Sequence, residues 1–254
     1  MASVAEHWQP TLTVEERLKL LVPPRLYVRY KLAKEWVRGE AEIRILRLLV
    51  DRRRNAVDAG ANKGTYTHAI ARYARHVYAF EPNPKMFAIL KRTAGRNVTP
   101  SPIALSDRSG EAELRIPRYG KGSFSNQGAS LSTVKVNEDY ASTTVRTSRL
   151  DDLGLSDIGF LKIDVEGFER EVLDGARQTI ARDHPTLLIE LEEKHTRVPI
   201  EQSLAAVAAL GYRGLYLDPG SGTLQSLDRF DPELHHRTAK AGYVFNFVFL
   251  PRVV

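Results

Sequence analysis

Cysteine is absent from the 254-residue chain. The absence excludes disulfide bonds, thiolate metal ligands and cysteine nucleophiles. No apolar run approaches the roughly 20 residues of a membrane-spanning helix, because charged residues interrupt every candidate within a few positions. The N-terminus also lacks the basic segment and apolar core of a secretory signal. We therefore expect a globular, cytoplasmic enzyme without a transmembrane segment.

The sequence pattern of a serine hydrolase is missing. No Gly-x-Ser-x-Gly elbow is present, so a hydrolase triad is unsupported.

The chain has 37 basic and 31 acidic residues and a formal net charge of +6. Such a surplus permits contact with nucleic acid, phosphorylated substrates or an anionic membrane surface. No basic stripe is interleaved with stacking aromatics, so we interpret the surplus as a solvated helical face and expect no nucleic-acid partner.

Strand and helix patterns alternate along most of the chain. The predicted strands cover residues 55–59, 76–80, 98–105, 160–163, 187–191, 214–217 and 244–250, and the predicted helices 66–75, 85–95, 168–182 and 200–210. This alternation predicts an α/β fold with a mostly parallel seven-stranded sheet flanked by helices. The last two strands are separated by turn-rich sequence and are expected to be antiparallel.

Two segments differ from this alternation. Helical spacing over residues 13–50, broken at Pro23-Pro24, predicts an N-terminal helical extension over residues 1–50 that precedes the main domain at 51–254. Residues 117–149 are rich in Ser, Thr, Gly and Asn, with only weak strand signals. A long loop inside a compact domain is more often a binding loop or lid than a plain connector, so we expect this segment to cover the site.

A glycine-rich turn between the first predicted strand and the next helix carries the strongest functional signal. It follows Asp58 and consists of Gly60, Ala61, Asn62, Lys63 and Gly64. Glycine lets the backbone bend sharply and approach a ligand closely. The third glycine of the dinucleotide fingerprint is missing. An acid at position 58 suits a cationic group, such as the amino group of an amino-acid moiety, better than a pyrophosphate.

Polar residues also end the second and third predicted strands. Glu81, followed by Pro82, comes 17 residues after Gly64, where a carboxylate accepts two hydrogen bonds from a ribose diol. Ser106 and Asp107 end the third strand, where polar groups can border an adenine edge. Together with the turn, these residues predict a nucleoside that carries no phosphate.

Four acids lie at the carboxyl ends of two later strands: Asp164 and Glu166 on one, Glu190 and Glu192 on the other. Like charges at one sheet edge repel unless a cation, a proton or a substrate hydroxyl intervenes. Lys162 shares the side of Asp164 by strand alternation, and His195 follows the cluster. The candidate catalytic residues are Asp164, Glu190, His195 and Lys162. The candidate metal ligands are Asp164, Glu190 and Glu192, whose oxygens favour Mg²⁺ or Mn²⁺.

Taken in order, these blocks resemble the FkbM-type S-adenosylmethionine methyltransferases. The resemblance runs from about residue 39 to 251 and is most specific at Lys162-Ile163-Asp164-Val165-Glu166-Gly167-Phe168-Glu169, combined with the turn at 58–64. It implies a Rossmann-like class I methyltransferase fold with S-adenosylmethionine as cofactor. It also implies that Gly60, Asn62 and Gly64 wrap the methionine part, Glu81 holds the ribose, and Ser106 with Asp107 borders the adenine.

The resemblance implies O-methylation of a hydroxyl on a small molecule, with sugars in polysaccharides, glycolipids and related glycoconjugates as the acceptor class. Asp164, Glu190 and His195 remain alternative bases, and a requirement for Mg²⁺ or Mn²⁺ stays open. The alternatives are a nucleic-acid methyltransferase, a nicotinamide-dependent oxidoreductase and a non-catalytic binder. The N-terminal helices are candidates for pairing two subunits as a homodimer, covering the cofactor or contacting a membrane peripherally.

Overall fold

The structure is a computed structural model that describes residues 22–119, 123–126, 128–136, 139–238 and 242–252. The predicted helical segment before residue 22 lies outside these ranges. The helices are α1 (Pro24–Arg38), α2 (Glu42–Leu49), α3 (Thr65–Ile70), α4 (Pro84–Thr93), α5 (Glu169–Asp174), α6 (Arg177–Asp183), α7 (Glu193–Thr196) and α8 (Ile200–Ala208). The strands are β1 (Asn55–Ala59), β2 (Val77–Phe80), β3 (Val98–Ser101), β4 (Ile103–Leu105), β5 (Gly110–Tyr119), β6 (Ser123–Phe124), β7 (Tyr140–Ser148), β8 (Ile158–Ile163), β9 (Thr186–Glu190), β10 (Tyr212–Leu217), β11 (Leu224–Ser226) and β12 (Asn246–Pro251).

The main sheet has the strand order β11-β10-β12-β9-β8-β1-β2-β3. The five strands from β9 to β3 are parallel, so their carboxyl ends meet at one edge. β12 is antiparallel to both β9 and β10, which confirms the antiparallel pair predicted for the end of the chain. The described sheet has eight strands rather than seven, because the short strand β11 adds an edge that sequence periodicity did not indicate.

Apolar residues fill both faces of this sheet. Alternation along β1 sends Ala56 and Val57 to opposite faces, and each belongs to a separate buried cluster. On the face of Ala56, α2 contributes Ile43 and Leu46, so this helix is part of the core next to the sheet. The division of the chain at residue 50 stays a prediction. None of the helices in the described ranges combines the length and apolar character of a membrane span.

The third predicted strand, residues 98–105, is wrong as a single element. It divides at Pro102 into β3, which pairs with β2 in the main sheet, and β4, which pairs with β7 in a second sheet. Proline has no amide hydrogen for the ladder, so the chain leaves the main sheet there. The long helix predicted over 168–182 also divides, into α5 and α6. Gly175 lies at the division and packs so closely that a Cβ there would be 1.9 Å from the Ser106 carbonyl oxygen.

The prediction of a largely irregular segment at 117–149 is wrong for much of its length. A second sheet with the order β4-β7-β5-β6 uses β5 and β7 as a long antiparallel pair, from Gly110 opposite Thr147 to Pro117 opposite Tyr140. Threonine and serine alternate with buried residues in β7, which suits a sheet with one exposed face. Between β6 and β7 the described residues form no further strand, and this connection packs toward the carboxyl edge of the main sheet through Ser130.

Candidate active site

The turn after β1 is held in a conformation that requires small residues. Gly60 and Gly64 have φ angles of 80° and 84°, and Asn62 has a φ of 49°. A Cβ at Gly60 would lie 1.7 Å from the carbonyl oxygen of Asp164, so only glycine lets the turn pass this close to the end of β8. The turn and the Asp164 loop therefore form one continuous surface at the carboxyl edge of the sheet.

Glu81 joins this turn to the end of β2. Its Oε2 accepts a hydrogen bond from the Asn62 amide at 2.6 Å, and its Oε1 accepts one from the Asn83 amide at 2.8 Å. Burial raises the pKa of Glu81 to about 7, although both amides act in the opposite direction. The side chain is thus fixed by two loops and forms part of a cavity wall.

A cavity of about 670 Å³ opens at this edge of the sheet. Eight of the predicted site residues line it: Gly60, Ala61, Asn62, Glu81, Pro82, Lys162, Asp164 and Glu190. Six others stand outside its lining in the described part of the chain: Asp58, Gly64, Ser106, Asp107, Glu192 and His195. The cavity also takes residues from α1, including Tyr27 and Lys31, and from the connection between β5 and β7.

Asp58 lies beneath the cavity wall. It is fully buried, and its Oδ2 accepts a hydrogen bond from the Thr67 hydroxyl of α3 at 2.6 Å. Its Oδ1 has no hydrogen-bond partner in the described part of the chain. Burial raises the pKa of Asp58, and the Lys162 ammonium opposes this effect. The geometry makes Asp58 a residue that fixes α3 on β1, whereas its predicted contact with an amino group stays a prediction.

Ser106 and Asp107 stand outside the cavity lining in the described part of the chain. The Ser106 hydroxyl donates to Asp107 Oδ1 at 3.0 Å, and the two residues follow β4. The preceding residues Ala104 and Leu105 line the cavity instead. The cavity wall next to these residues is thus apolar, and the predicted contact of Ser106 and Asp107 with the adenine stays a prediction.

Lys162 and Asp164 form an ion pair in the cavity wall, with 2.8 Å between Nζ and Oδ2. The ammonium also lies 4.5 Å from the centre of the Tyr66 ring. Burial disfavours its charge, but Asp164 and Asp58 together raise the pKa of Lys162 above its ordinary value. Lys162 therefore stays protonated and orients the Asp164 carboxylate.

Glu190 shares the cavity with this pair. Burial raises its pKa to about 9, and the nearby charge of Asp164 adds to the effect. Glu190 is therefore protonated at neutral pH, and its neutral side chain does not repel the neighbouring carboxylates, as the sequence led us to expect of charged acids. The two strand ends supply one carboxylate and one neutral carboxyl group to the same wall.

A second group of side chains lies beside this wall. Ligand atoms of Glu166, Glu190 and His195 lie within 4.8 Å of one another, a set that shares only Glu190 with the predicted metal ligands. His195 Nε2 is 3.7 Å from a Glu166 oxygen and 3.6 Å from a Glu192 oxygen. Burial lowers the pKa of His195 to about 4, so the ring is neutral at physiological pH.

Lys135 was not predicted from the sequence, yet it supplies positive charge to these acids. Its ammonium pairs with Glu166, and the Ser130 hydroxyl donates to the Glu166 carbonyl oxygen at 2.6 Å. Burial lowers the pKa of Lys135 to about 8, whereas Glu190 and the other acids raise it. Both residues come from the connection between β5 and β7, where no motif marks them.

Glu40 and Tyr66 were also missed. The Tyr66 hydroxyl donates to Glu40 Oε2 at 2.7 Å, and Asn246 of β12 donates to the same oxygen at 2.8 Å. The three residues are far apart in the sequence and carry no shared motif. They join the α1–α2 connection to the sheet next to the Lys162 ammonium.

Comparison with solved structures gives methyltransferases of low sequence identity. The methyltransferase FkbM from Methylobacillus flagellatus KT is 15% identical with a TM-score of 0.50, and the match covers 90% of this chain and 55% of that one. An rRNA methylase from Streptococcus thermophilus is 12% identical, covers 84% and 95%, and has a TM-score of 0.46. SMU.1697c from Streptococcus mutans, solved in complex with SAH, is 12% identical, covers 82% and 94%, and has a TM-score of 0.46.

The first of these structures confirms the predicted Rossmann-like methyltransferase fold, and this chain spans just over half the length of that protein. A search of curated proteins found no match. The family model described as the methyltransferase FkbM domain matches residues 58–237, which include the turn, Glu81 and the acids of β8 and β9. Because this match covers well over half of the chain, the chain belongs to the FkbM family of methyltransferases.

Proposed function

We propose that this methyltransferase binds S-adenosylmethionine in the cavity and methylates a hydroxyl oxygen of a sugar in a polysaccharide, glycolipid or related glycoconjugate. The observation that carries the proposal is that one cavity joins two kinds of residue. Gly60, Asn62 and Glu81 form one part of its wall, and Asp164 and Glu190 form another. A volume of about 670 Å³ is in the usual range for small-molecule sites.

The residues present fit the nucleoside and amino-acid parts of this cofactor. Glu81 keeps acceptor capacity for a ribose diol after it has accepted the two amides, because each carboxylate oxygen has two lone pairs. Leu105 offers an apolar surface to a flat base, and the bend at Gly60 lets the backbone approach the ligand. When bound, the cofactor supplies an electrophilic methyl group on a sulfonium, so the protein mainly aligns the acceptor and removes a proton.

We assign the proton acceptor to Asp164. Its Oδ2 is held by Lys162 at 2.8 Å, and Oδ1 is the atom that takes the proton from the acceptor hydroxyl. Glu190 is a poor base because its pKa of about 9 keeps it protonated, and it acts as a neutral hydrogen-bonding group. His195 lies outside the cavity lining and 3.7 Å from a Glu166 oxygen, so we assign it a role in positioning the acid loop.

The sequence left a requirement for Mg²⁺ or Mn²⁺ open, and the charges at the cavity wall argue against it. The acids at the wall already have the Lys135 ammonium among them, paired with Glu166. A divalent ion bound by Glu166, Glu190 and His195 would have to displace this charge and the proton on Glu190. We therefore propose that methyl transfer proceeds without Mg²⁺ or Mn²⁺.

The acceptor class rests on the family resemblance and on the polarity of the cavity. Asn126 and Ser130 line the side formed by the connection between β5 and β7, where they offer hydrogen bonds to hydroxyl groups. The loop after β8 reads Val165-Glu166-Gly167, whereas amino-methylating enzymes that act on nucleic acids use a Pro-Pro-aromatic turn. The family assignment decides against a nicotinamide-dependent oxidoreductase.

Calorimetry with S-adenosylhomocysteine tests the donor site. We expect one binding event in the wild type and a loss of at least about tenfold in affinity for Glu81→Ala, because a buried, charge-assisted hydrogen bond is removed. Glu111→Ala, at an exposed position on β5, is the matched control and should bind normally. Equal affinity in Glu81→Ala and the wild type contradicts the donor assignment.

A methyl-transfer assay tests the acceptor class. The purified protein is incubated with radiolabelled S-adenosylmethionine and either cell-surface glycans, total tRNA and rRNA, or no acceptor. Label in the glycan fraction supports the proposal, and label in RNA supports the nucleic-acid alternative. Donor binding without transfer to any fraction supports the non-catalytic alternative.

A further inference from the structure

Helix α1 forms part of the cavity although it precedes the region matched by the family model, residues 58–237. Its inward positions recur at helical spacing and include Tyr27, Lys31 and Glu35, all of which line the cavity. Arg29 is exposed and lies outside the lining, whereas Tyr30 and Lys34 are exposed and also line the cavity. The helix packs against α3 and α4, the two helices that follow β1 and β2. The donor cavity is therefore completed by a segment outside the family's matched region.

Lys31 brings a positive charge next to the glycine turn. Its Nζ donates to the hydroxyl of Thr65, the residue directly after Gly64, at 2.5 Å. The charge of Lys31 also contributes, after burial, to the low pKa of His68, which is about 4. The hydrogen bond to Thr65 thus places the ammonium at the start of α3, on the wall of the cavity.

The cavity wall carries charges of both signs. Asp164, Glu190 and Glu40 lie on the side of β8 and β9, and this side suits an ammonium or sulfonium. A carboxylate placed there would meet like charge, so it needs a cation elsewhere on the wall. Helix α1 adds cations and the acid Glu35 to the wall. Its Lys31 ammonium lies beside a hydroxyl that can serve the same anion.

We propose that Lys31, together with Thr65, binds the carboxylate of the donor's amino-acid tail, so that helix α1 completes the cofactor site. This inference rests on the proposed function, because it takes S-adenosylmethionine as the donor. It gives the N-terminal helices a role in cofactor affinity rather than in membrane contact or subunit pairing.

Two ligands separate the tail from the nucleoside. S-adenosylhomocysteine carries the amino-acid tail, and 5′-methylthioadenosine has the same nucleoside and sulfur without it. We expect Lys31→Gln to weaken S-adenosylhomocysteine by about tenfold, the size of one charge-assisted hydrogen bond at a half-buried site. The same substitution should change methylthioadenosine affinity by less than about twofold. Calorimetry on the full chain measures both constants.

Matched variants control for folding and for charge. Arg29→Gln removes a cation from the exposed face of the same helix and should leave both affinities unchanged. Lys31→Arg should keep most of the S-adenosylhomocysteine affinity, because the charge is retained. The melting temperature of each variant reports whether α1 stays packed.

The outcomes are distinguishable. Selective loss of S-adenosylhomocysteine affinity in Lys31→Gln supports the inference. Equal loss for both ligands, or no loss for either, overturns it, and so does selective loss in Lys63→Gln with none in Lys31→Gln. A wild-type protein that binds neither ligand refutes the proposed donor itself, a result separate from any behaviour of the variants.

Discussion

Glu190 links the electrostatics of the cavity wall to the stability of the fold. Its pKa is raised to about 9 by burial and by Asp164, whereas an unfolded glutamate titrates near the ordinary value of 4.5. Between these two values the folded protein binds a proton that the unfolded chain does not. The free energy of unfolding therefore falls as pH rises through this window. The slope for one such group is about 1.4 kcal/mol per pH unit.

This slope predicts the behaviour of Glu190→Gln, which keeps the shape of the neutral side chain and removes the titration. From pH 6 to pH 8 the wild type should lose roughly 2 to 3 kcal/mol more unfolding free energy than the variant. Glutamates with a pKa of about 7, such as Glu81 and Glu169, contribute equally to both proteins and cancel in the difference. Glu190→Gln should thus be the more stable protein at pH 8.

Urea denaturation followed by tryptophan fluorescence measures this difference at pH 6, 7 and 8. Glu111→Gln, on the exposed surface of β5, controls for the change of glutamate to glutamine. Parallel stability curves for the wild type and Glu190→Gln would refute the reasoning, because they would mean that Glu190 is ionised in the folded protein throughout this range.

Three further predictions concern the site. Gly60→Ala should abolish donor binding and lower the melting temperature by several degrees, because its Cβ would lie 1.7 Å from the Asp164 carbonyl oxygen at a φ of 80°. Asp164→Asn should lower kcat by about 100-fold or more with donor affinity within a few fold, as measured by release of S-adenosylhomocysteine; an unchanged kcat would move the base elsewhere. Treatment with EDTA should leave turnover of the wild type unchanged, whereas Lys135→Ala should bind Mn²⁺ more tightly in calorimetry, because it removes the ammonium beside Glu166.

The sequence identified the residues whose placement depends on short-range geometry. A turn after a buried strand needs glycine wherever the backbone comes close to a neighbouring segment. Gly60 could therefore be identified from the sequence without knowledge of the rest of the fold. Glu81 could be identified for a similar reason, because an acid that ends a parallel strand lies at the carboxyl edge of the sheet, where ligands bind. Both residues line the cavity as expected.

The errors arose where long-range pairing decides the structure. The composition of residues 117–149 indicated a loop, yet β5 and β7 pair along most of their length, and each supplies the hydrogen-bond partners that the other lacks. The strand predicted over residues 98–105 divides at Pro102, and its second half, β4, pairs with β7 in the second sheet. No local pattern in the sequence records which sheet a short strand joins.

The positive charges at the cavity also differ in whether local sequence or tertiary packing places them. The acids come from consecutive parallel strands, so their convergence at one edge follows from the motif. One counter-charge, Lys162, lies on β8 two residues before Asp164 and pairs with it, so the same motif contains both. Another, Lys135, comes from the connection between β5 and β7 and meets Glu166 only through tertiary packing. The sequence pattern therefore indicates the counter-charge on the strand itself, whereas the lysine of the connection can be identified only in the folded structure.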